Sequence, residues 1–417
     1  MRRRDVLRGG LAGFAAAMAS RLLPGCTNGG ARPPDGRLAA DATPLPDAAP
    51  SFPARNNIPA PPALRSRIAE IGPLGDPDLA GVRVAAGFRA RVIARTGERV
   101  GGSSYLWHLF PDGGATFATE DGGWIYVSNS ETPLVGGAGA VRFDASANIV
   151  SAHRILDRTQ VNCAGGKTPW HTWLSCEEID GGRVFECDPW GEHPAIERPA
   201  LGAFKHEAAA VDPVRGHVYL TEDETDGRLY RFVPAVAEAG RLDLGAGRLE
   251  VAMVAPDMSV SWLEVPDPHY LGGTPTRRQV PASTPFRGGE GIWYQAGKVY
   301  FSTKHDNRIW VYDAALARIS VLYDGAGIVD PILSGVDNVT ASCCGDVLVA
   351  EDAGSMEIVA ILPDGELKRL VQVVGQDTSE ITGPAFDPSG TRLYFSSQRA
   401  PGGGATYEVE GPFHSLA

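Results

Sequence analysis

A recurring unit of about 47 residues constrains this chain more than any other feature. Each copy reads as a short apolar strand, a turn carrying Asp, Gly or Pro, a second apolar strand and a polar cluster. Five copies are plain: residues 115–118 then 126–131, 207–211 then 218–223, 290–293 then 299–304, 338–340 then 347–352, and 383–386 then 393–398. Residues 162–178 make a sixth. The second strands end near Ser130, Glu177, Asp223, Lys304, Asp352 and Arg399, so four of the five intervals are close to 47 residues and the third is 81. That period is the size of a propeller blade. The long interval holds the Pro- and Gly-rich stretch 240–287, which reads as an insertion within one blade.

Outer strands follow several copies, at 140–144, 184–186, 229–233, 309–312 and 357–361. Units of four short strands that close into a ring give an all-β, six-bladed β-propeller over residues 63–417. A pair of β-sandwiches is the competing architecture. Composition agrees with a turn-rich, all-β chain: 51 Gly and 32 Pro accompany 43% hydrophobic residues.

The N-terminus reads as an address rather than as part of the fold. Arg2-Arg3-Arg4-Asp5-Val6-Leu7 and the apolar run 11–19 have the form of a twin-arginine signal peptide over 1–26. The export machinery is the implied partner and the bacterial envelope the implied location, periplasmic or extracellular. The sequence Leu23-Pro24-Gly25-Cys26 resembles a lipoprotein processing site, and membrane attachment depends on lipidation of Cys26. Residues 27–62, rich in Ala, Pro and Gly, read as a flexible tether. The six cysteines show no small-scaffold spacing, so no disulfide framework is expected. A net charge of −12 argues against a nucleic-acid partner and suits a protein that gathers carboxylates around cations.

Hairpin geometry then collects the chemistry. Residues just before a first strand and just after the second lie at the same end of the hairpin. The first set is Cys163, Glu207, Glu290, Asp337 with Asn338, and Glu380. The second is Glu131, Glu177 with Glu178, Glu222 to Glu224, Asp306, and Glu351 with Asp352. Both sets are expected at one mouth of the central channel. Like charges at such density repel strongly, and bound metal is the expected remedy. A thiolate suits iron or zinc, and carboxylates suit iron or calcium. His108, His171 and His305 have no ligand spacing, and His206 reads as a core or supporting residue. Trp124, Trp170, Trp173, Trp293 and Trp310 read as blade core.

The motifs NCAGG-TPW-TWL-CEE, KHEAAAVDP with YLTED, FR--EGIW and TGPAFDPSGTRLYFSSQ resemble the PhoX-type alkaline phosphatase family from about Trp107 to Gln398. The resemblance implies export by the twin-arginine route, a six-bladed propeller, and hydrolysis of phosphate esters by an iron pair and calcium ions. It implies further that Cys163 bridges iron, that Glu207 and Glu290 bind iron, and that Glu178, Glu222 and Asp223 bind calcium or iron. The acidic strand end Glu351–Asp352 is a further candidate metal pair. Arg287 is the match for a phosphate-binding arginine, although it stands three residues before Glu290 where two are expected. Lys205 replaces a threonine and Arg399 a histidine; with Arg287, Lys205 is assigned to the catalytic set. The chain is also shorter than the family's larger enzymes. Two other functions stay open on the residues alone: a calcium-stabilised binding propeller without turnover, and a calcium-dependent lactonase or esterase, which has no need of Cys163.

Overall fold

The computed structural model describes residues 51–417 apart from 239, 353 and 401. The signal sequence 1–26, Cys26 and the first part of the tether lie outside the described residues.

Six antiparallel sheets follow one another along the chain, and each is a blade. Their innermost strands are Pro111–Ala118, Asn162–Lys167, His206–Asp212, Gly289–Gln295, Val336–Ala341 and Ile381–Phe386. Each pairs with the strand next in sequence, which pairs with the one after it, so every blade is a meander. The innermost strands pack beside one another in order, and the sixth returns to the first. Outer strands fall where the apolar runs predicted them, for example Glu357–Ile361 and Leu229–Pro234.

Blades packed face to face bury both sides of their strands, and Trp124–Ser130 and Val347–Glu351 are buried at every residue. The hydrophobic core is accordingly a set of clusters that each join neighbouring blades. One joins Trp124, Tyr126 and Phe143 of blade one to Ala385 and Tyr394 of blade six. The ring is closed from the N-terminal side, because Arg89–Arg95 forms the outermost strand of blade six against Ala405–Glu410. Val82–Arg83 adds a short edge to blade five, and Leu64–Ser66 pairs with His414–Leu416.

Within the 240–287 stretch, Gly247–Val254 and Val260–Glu264 extend blade three to five strands. A loop with a 3-10 turn at Thr276–Arg278 follows. Part of the expected tether is also visible. Residues 51–62 form no strand or helix, yet Phe52 is buried and the Arg55 guanidinium lies 3.9 Å from the ring centre of Trp190.

Candidate metal centre

All six innermost strands carry the same irregularity at their start. In each, the register against the second strand shifts by one residue, at 111/114, 162/165, 206/209, 289/292, 336/339 and 382/385. Such a bulge leaves one residue outside the ladder and turns its side chain. The first bulged residues are Asp112, Cys163, Glu207, Glu290, Asp337 and Gly383. Five of the six are metal-ligand types.

The register also places the end of every second strand beside these bulges. The residues directly after the second strands are Glu131, Glu178, Asp223, Lys304, Asp352 and Gln398. Two tiers of polar side chains therefore meet at one end of the ring of blades. The ligand atoms of Asp112, Glu131 and Cys163 lie within 4.8 Å of one another, as do those of Cys163, Glu178 and Glu207, and those of Glu207, Glu290 and Asp337. Because the three groups share Cys163 and Glu207, they form one continuous arc, and all seven residues are buried.

Neighbouring blades hold the bulges in place. The Asn129 amide donates to the carbonyls of Cys163 at 2.9 Å and Ala164 at 2.7 Å, and Thr221 Oγ1 donates to the Glu290 carbonyl at 2.5 Å. The Ser302 hydroxyl bonds the Asp337 carbonyl in the same way. Gln398 Nε2 donates to Glu131 at 2.7 Å and also to Asp112, fixing both carboxylates.

Three cations border the arc. Lys205 Nζ lies 2.7 Å from Glu178 and 3.0 Å from Asp223. Lys304, in the strand-end tier of blade four, pairs with Glu290 and lies 3.2 Å from Asp223. Arg399 lies 3.0 Å from Glu380 and 3.8 Å from Glu131. Burial opposes the charge on Lys205, but Glu178 and Asp223 more than offset it and hold the ammonium above the usual lysine range. The carboxylates outnumber these cations, and the balance falls on the buried acids. Burial, then the charges of Glu178 and Asp337, push Glu207 well above the carboxylate range. Glu290 is raised by burial and by Asp337 and Glu207, against the pull of Lys304. The Cys163 thiol is raised by burial and by Asp112, and its sulfur lies 3.6 Å from Asp112 Oδ2.

This donor set suits metal ions. Both carboxylate oxygens of Glu207 are fully buried with no hydrogen-bond partner in the protein. A buried carboxylate left so is costly unless a proton or a cation satisfies it. Next to it stands a soft sulfur donor, with hard oxygen donors on either side, a mixed set able to hold metal ions.

Not every predicted residue joins the arc. Cys163, Glu178, Glu207 and Glu290 are brought together, and Asp223 reaches them through the two lysines. Glu222 and Glu351, the last residues of their strands, are instead engaged within their own blades. Glu222 accepts from the Arg228 amide at 3.1 Å and the Tyr230 hydroxyl at 2.9 Å, with Arg277 at 3.4 Å. Glu351 accepts from the amides of Ser334 at 2.8 Å and Glu357 at 3.0 Å. Asp352 forms an isolated bridge with Glu380. Arg287 is exposed, three residues before the Glu290 bulge. His206 is a core residue whose Nε2 bonds the Gly202 carbonyl at 3.1 Å and whose ring lies against Phe204.

Sequence reasoning missed Asp112 and Gln398. Asp112 sits in Pro111-Asp112-Gly113-Gly114, a string that reads as a turn although it opens a strand. Only the pairing register aligns it with Cys163, since Pro111 pairs with Ser130 as Asn162 pairs with Glu177.

Comparison with known proteins points the same way. Residues 125–320 match the family described as alkaline phosphatase PhoX, a span running from the second strand of blade one to the outermost strand of blade four. A solved Pseudomonas fluorescens PhoX, in complex with vanadate, a transition state analogue, superposes with a TM-score of 0.65 at 16% identity, covering 84% of this chain and 98% of that one. A Xanthomonas campestris gluconolactonase (TM-score 0.45, 13% identity, 82% and 98% coverage) and an Agrobacterium tumefaciens regucalcin (0.47, 16%, 79% and 97%) align less closely. No curated protein matches. The chain is a six-bladed β-propeller, and its match to the alkaline phosphatase PhoX family runs through four of the blades.

Proposed function

We propose that this protein is a metal-dependent phosphatase that hydrolyses phosphate esters at the acidic arc, with iron and calcium as its metals. The observation that carries this reading is the shared Cys163–Glu178–Glu207 and Glu207–Glu290–Asp337 grouping, with both oxygens of Glu207 unsatisfied by the protein. The match to the alkaline phosphatase PhoX family over 125–320 supports the phosphate ester as substrate.

In this reading Cys163, Glu178, Glu207 and Glu290 hold the metals, joined by Asp112, Glu131 and Asp337. Bound there, the metals supply concentrated positive charge against the phosphoryl oxygens. The chain's own residues do the rest. The ammonium groups of Lys205 and Lys304 are fixed beside Asp223, at the edge of the arc, where a phosphoryl group's charge would be offset. Arg287, exposed and three residues before Glu290, is assigned the role of orienting the incoming ester. Gln398 holds Asp112 and Glu131 in fixed orientation and so keeps that end of the arc preorganised. We place the protein in the bacterial envelope, exported through residues 1–26, with a membrane anchor if Cys26 is lipidated.

The test is metal analysis of protein exported from its own host, with assays on a generic aryl phosphate and on a lactone. Iron with calcium, and phosphate release lost on chelation, are expected. Calcium alone with lactone hydrolysis, or no turnover of either substrate, would replace this reading.

A further inference from the structure

On the far side of blades five and six from any group used above, a second cluster of ligand atoms occurs. The sulfurs of Cys343 and Cys344 lie 3.6 Å apart. Together with a ring nitrogen of His414 they form a group whose ligand atoms all lie within 4.8 Å of one another. The cysteines stand in the turn after Val336–Ala341 of blade five, and His414 opens the C-terminal strand His414–Leu416.

The histidine is set for a ligand. Its Nδ1 is 2.7 Å from the Gly390 carbonyl, and a carbonyl oxygen only accepts, so Nδ1 carries the proton. The lone pair is then on Nε2. That atom is buried, with no hydrogen-bond partner, in a side chain only 5% exposed. Metal-bound histidines are characteristically held this way, with one ring nitrogen donating to a backbone carbonyl and the other left to the ion. Cys344 Sγ also lies 3.3 Å from the Leu64 carbonyl. Cys343 is exposed, which gives an ion a path from solvent.

We propose that Cys343, Cys344 and His414 form a site for a thiophilic divalent cation, with zinc as the fitting ion. Two thiolates and a neutral imidazole are a common zinc donor set, and the exposed side leaves the fourth position to water. Calcium and magnesium prefer oxygen donors and are poor matches. The site ties the blade-five turn to the C-terminal strand. Because that strand pairs Ser66 with His414 and Leu64 with Leu416, the ion would also pin the segment that leads into the ring-closing strand. Its role is a clamp on the two ends of the propeller, separate from catalysis.

The experiment uses the full chain, stripped with chelator, reduced, and titrated with zinc while thiols are alkylated and the peptides weighed. Zinc is expected to protect Cys343 and Cys344 together and to raise the thermal midpoint. His414→Gln should weaken that protection at least about tenfold, in line with what perturbing a zinc ligand shell costs. Cys343→Ser alters an exposed side chain and leaves folding intact. It should remove protection from Cys344 while iron retention is unchanged. Equal alkylation with and without zinc, full protection in His414→Gln, or a Cys343–Cys344 disulfide that excludes zinc from the purified protein would each overturn the proposal.

Discussion

At the scale of single residues, one pattern decides which acids reach the arc. Side chains alternate along a strand, so of two adjacent carboxylates at a strand end only one faces inward. The sequence shows Glu222-Asp223 and Glu351-Asp352 as equivalent pairs, and nothing in the letters says which member points in. The register resolves it for the first pair: Glu222 stays with its own blade, and Asp223 stands beside the two lysines of the arc, while Glu351 likewise stays with its own blade. Cys163 was legible because it stands in the NCAGG motif at the start of a first strand, whereas Asp112 looked like an ordinary turn residue. For Cys163→Ser we expect iron retention and phosphatase turnover to be lost, with the thermal midpoint of the metal-free protein nearly unchanged. A serine hydroxyl is far less acidic than a thiol and a poorer soft donor, while the core resides in the six inter-blade clusters. Iron content, rate and midpoint measured beside wild type decide it, and undiminished iron in the variant would show that the sulfur is no ligand.

At the scale of elements, the bulged strands succeed because they are glycine-rich where they crowd together. A methyl group on Gly291 would come within 2.3 Å of the Val339 amide nitrogen, and one on Gly166 within 1.9 Å of the Ala209 carbonyl. Gly291→Ala is therefore expected to destabilise by about 1–3 kcal/mol, the usual cost of overpacking. Since Gly291 directly follows Glu290, metal affinity should fall as well. Denaturant unfolding checks the first effect, and an unchanged midpoint would mean that the inner strands can part freely. Second and outer strands were readable from apolar runs. The closing strand Arg89–Arg95 was not, because arginines alternate with its apolar residues, with Arg89 and Arg91 paired to Glu410 and Glu408 of the neighbouring strand. Only its place in the sheet gives that alternation a meaning.

At the scale of the whole molecule, the collected acids make stability depend on pH and on metal together. Burial raises Glu222 and Glu351 to about 7, and raises Glu207 and Glu290 well above their ordinary value of 4.5. A raised acid means that the folded state holds its proton more tightly than the unfolded state does. The stability linked to it is complete below about pH 4.5 and is lost as pH rises through the folded value. Chelated protein should therefore melt at progressively lower temperature as pH rises from about 4.5 to about 7, the range over which Glu222 and Glu351 titrate, with Glu207 and Glu290 acting in the same direction. Iron and calcium should flatten the part of the slope that Glu207 and Glu290 contribute, since cations in the arc favour the ionised acids and stabilise the folded state that binds them. A chelated midpoint that climbs with pH would contradict this account of the arc.

The glycines that let the inner strands approach so closely also decide how molecules come and go. Beyond the bulges the centre of the ring narrows to a cavity of about 30 Å³, walled by backbone at Gly113, Gly165, Gly291 and Gly383. That is room for a water molecule and for nothing larger. Among the described residues this narrowing leaves no room for an ester to pass through the centre of the ring, so a product released at the arc would leave by the mouth through which it entered. Inorganic phosphate, if that is the product, would then compete with the ester for the same doorway and slow the enzyme as it accumulates.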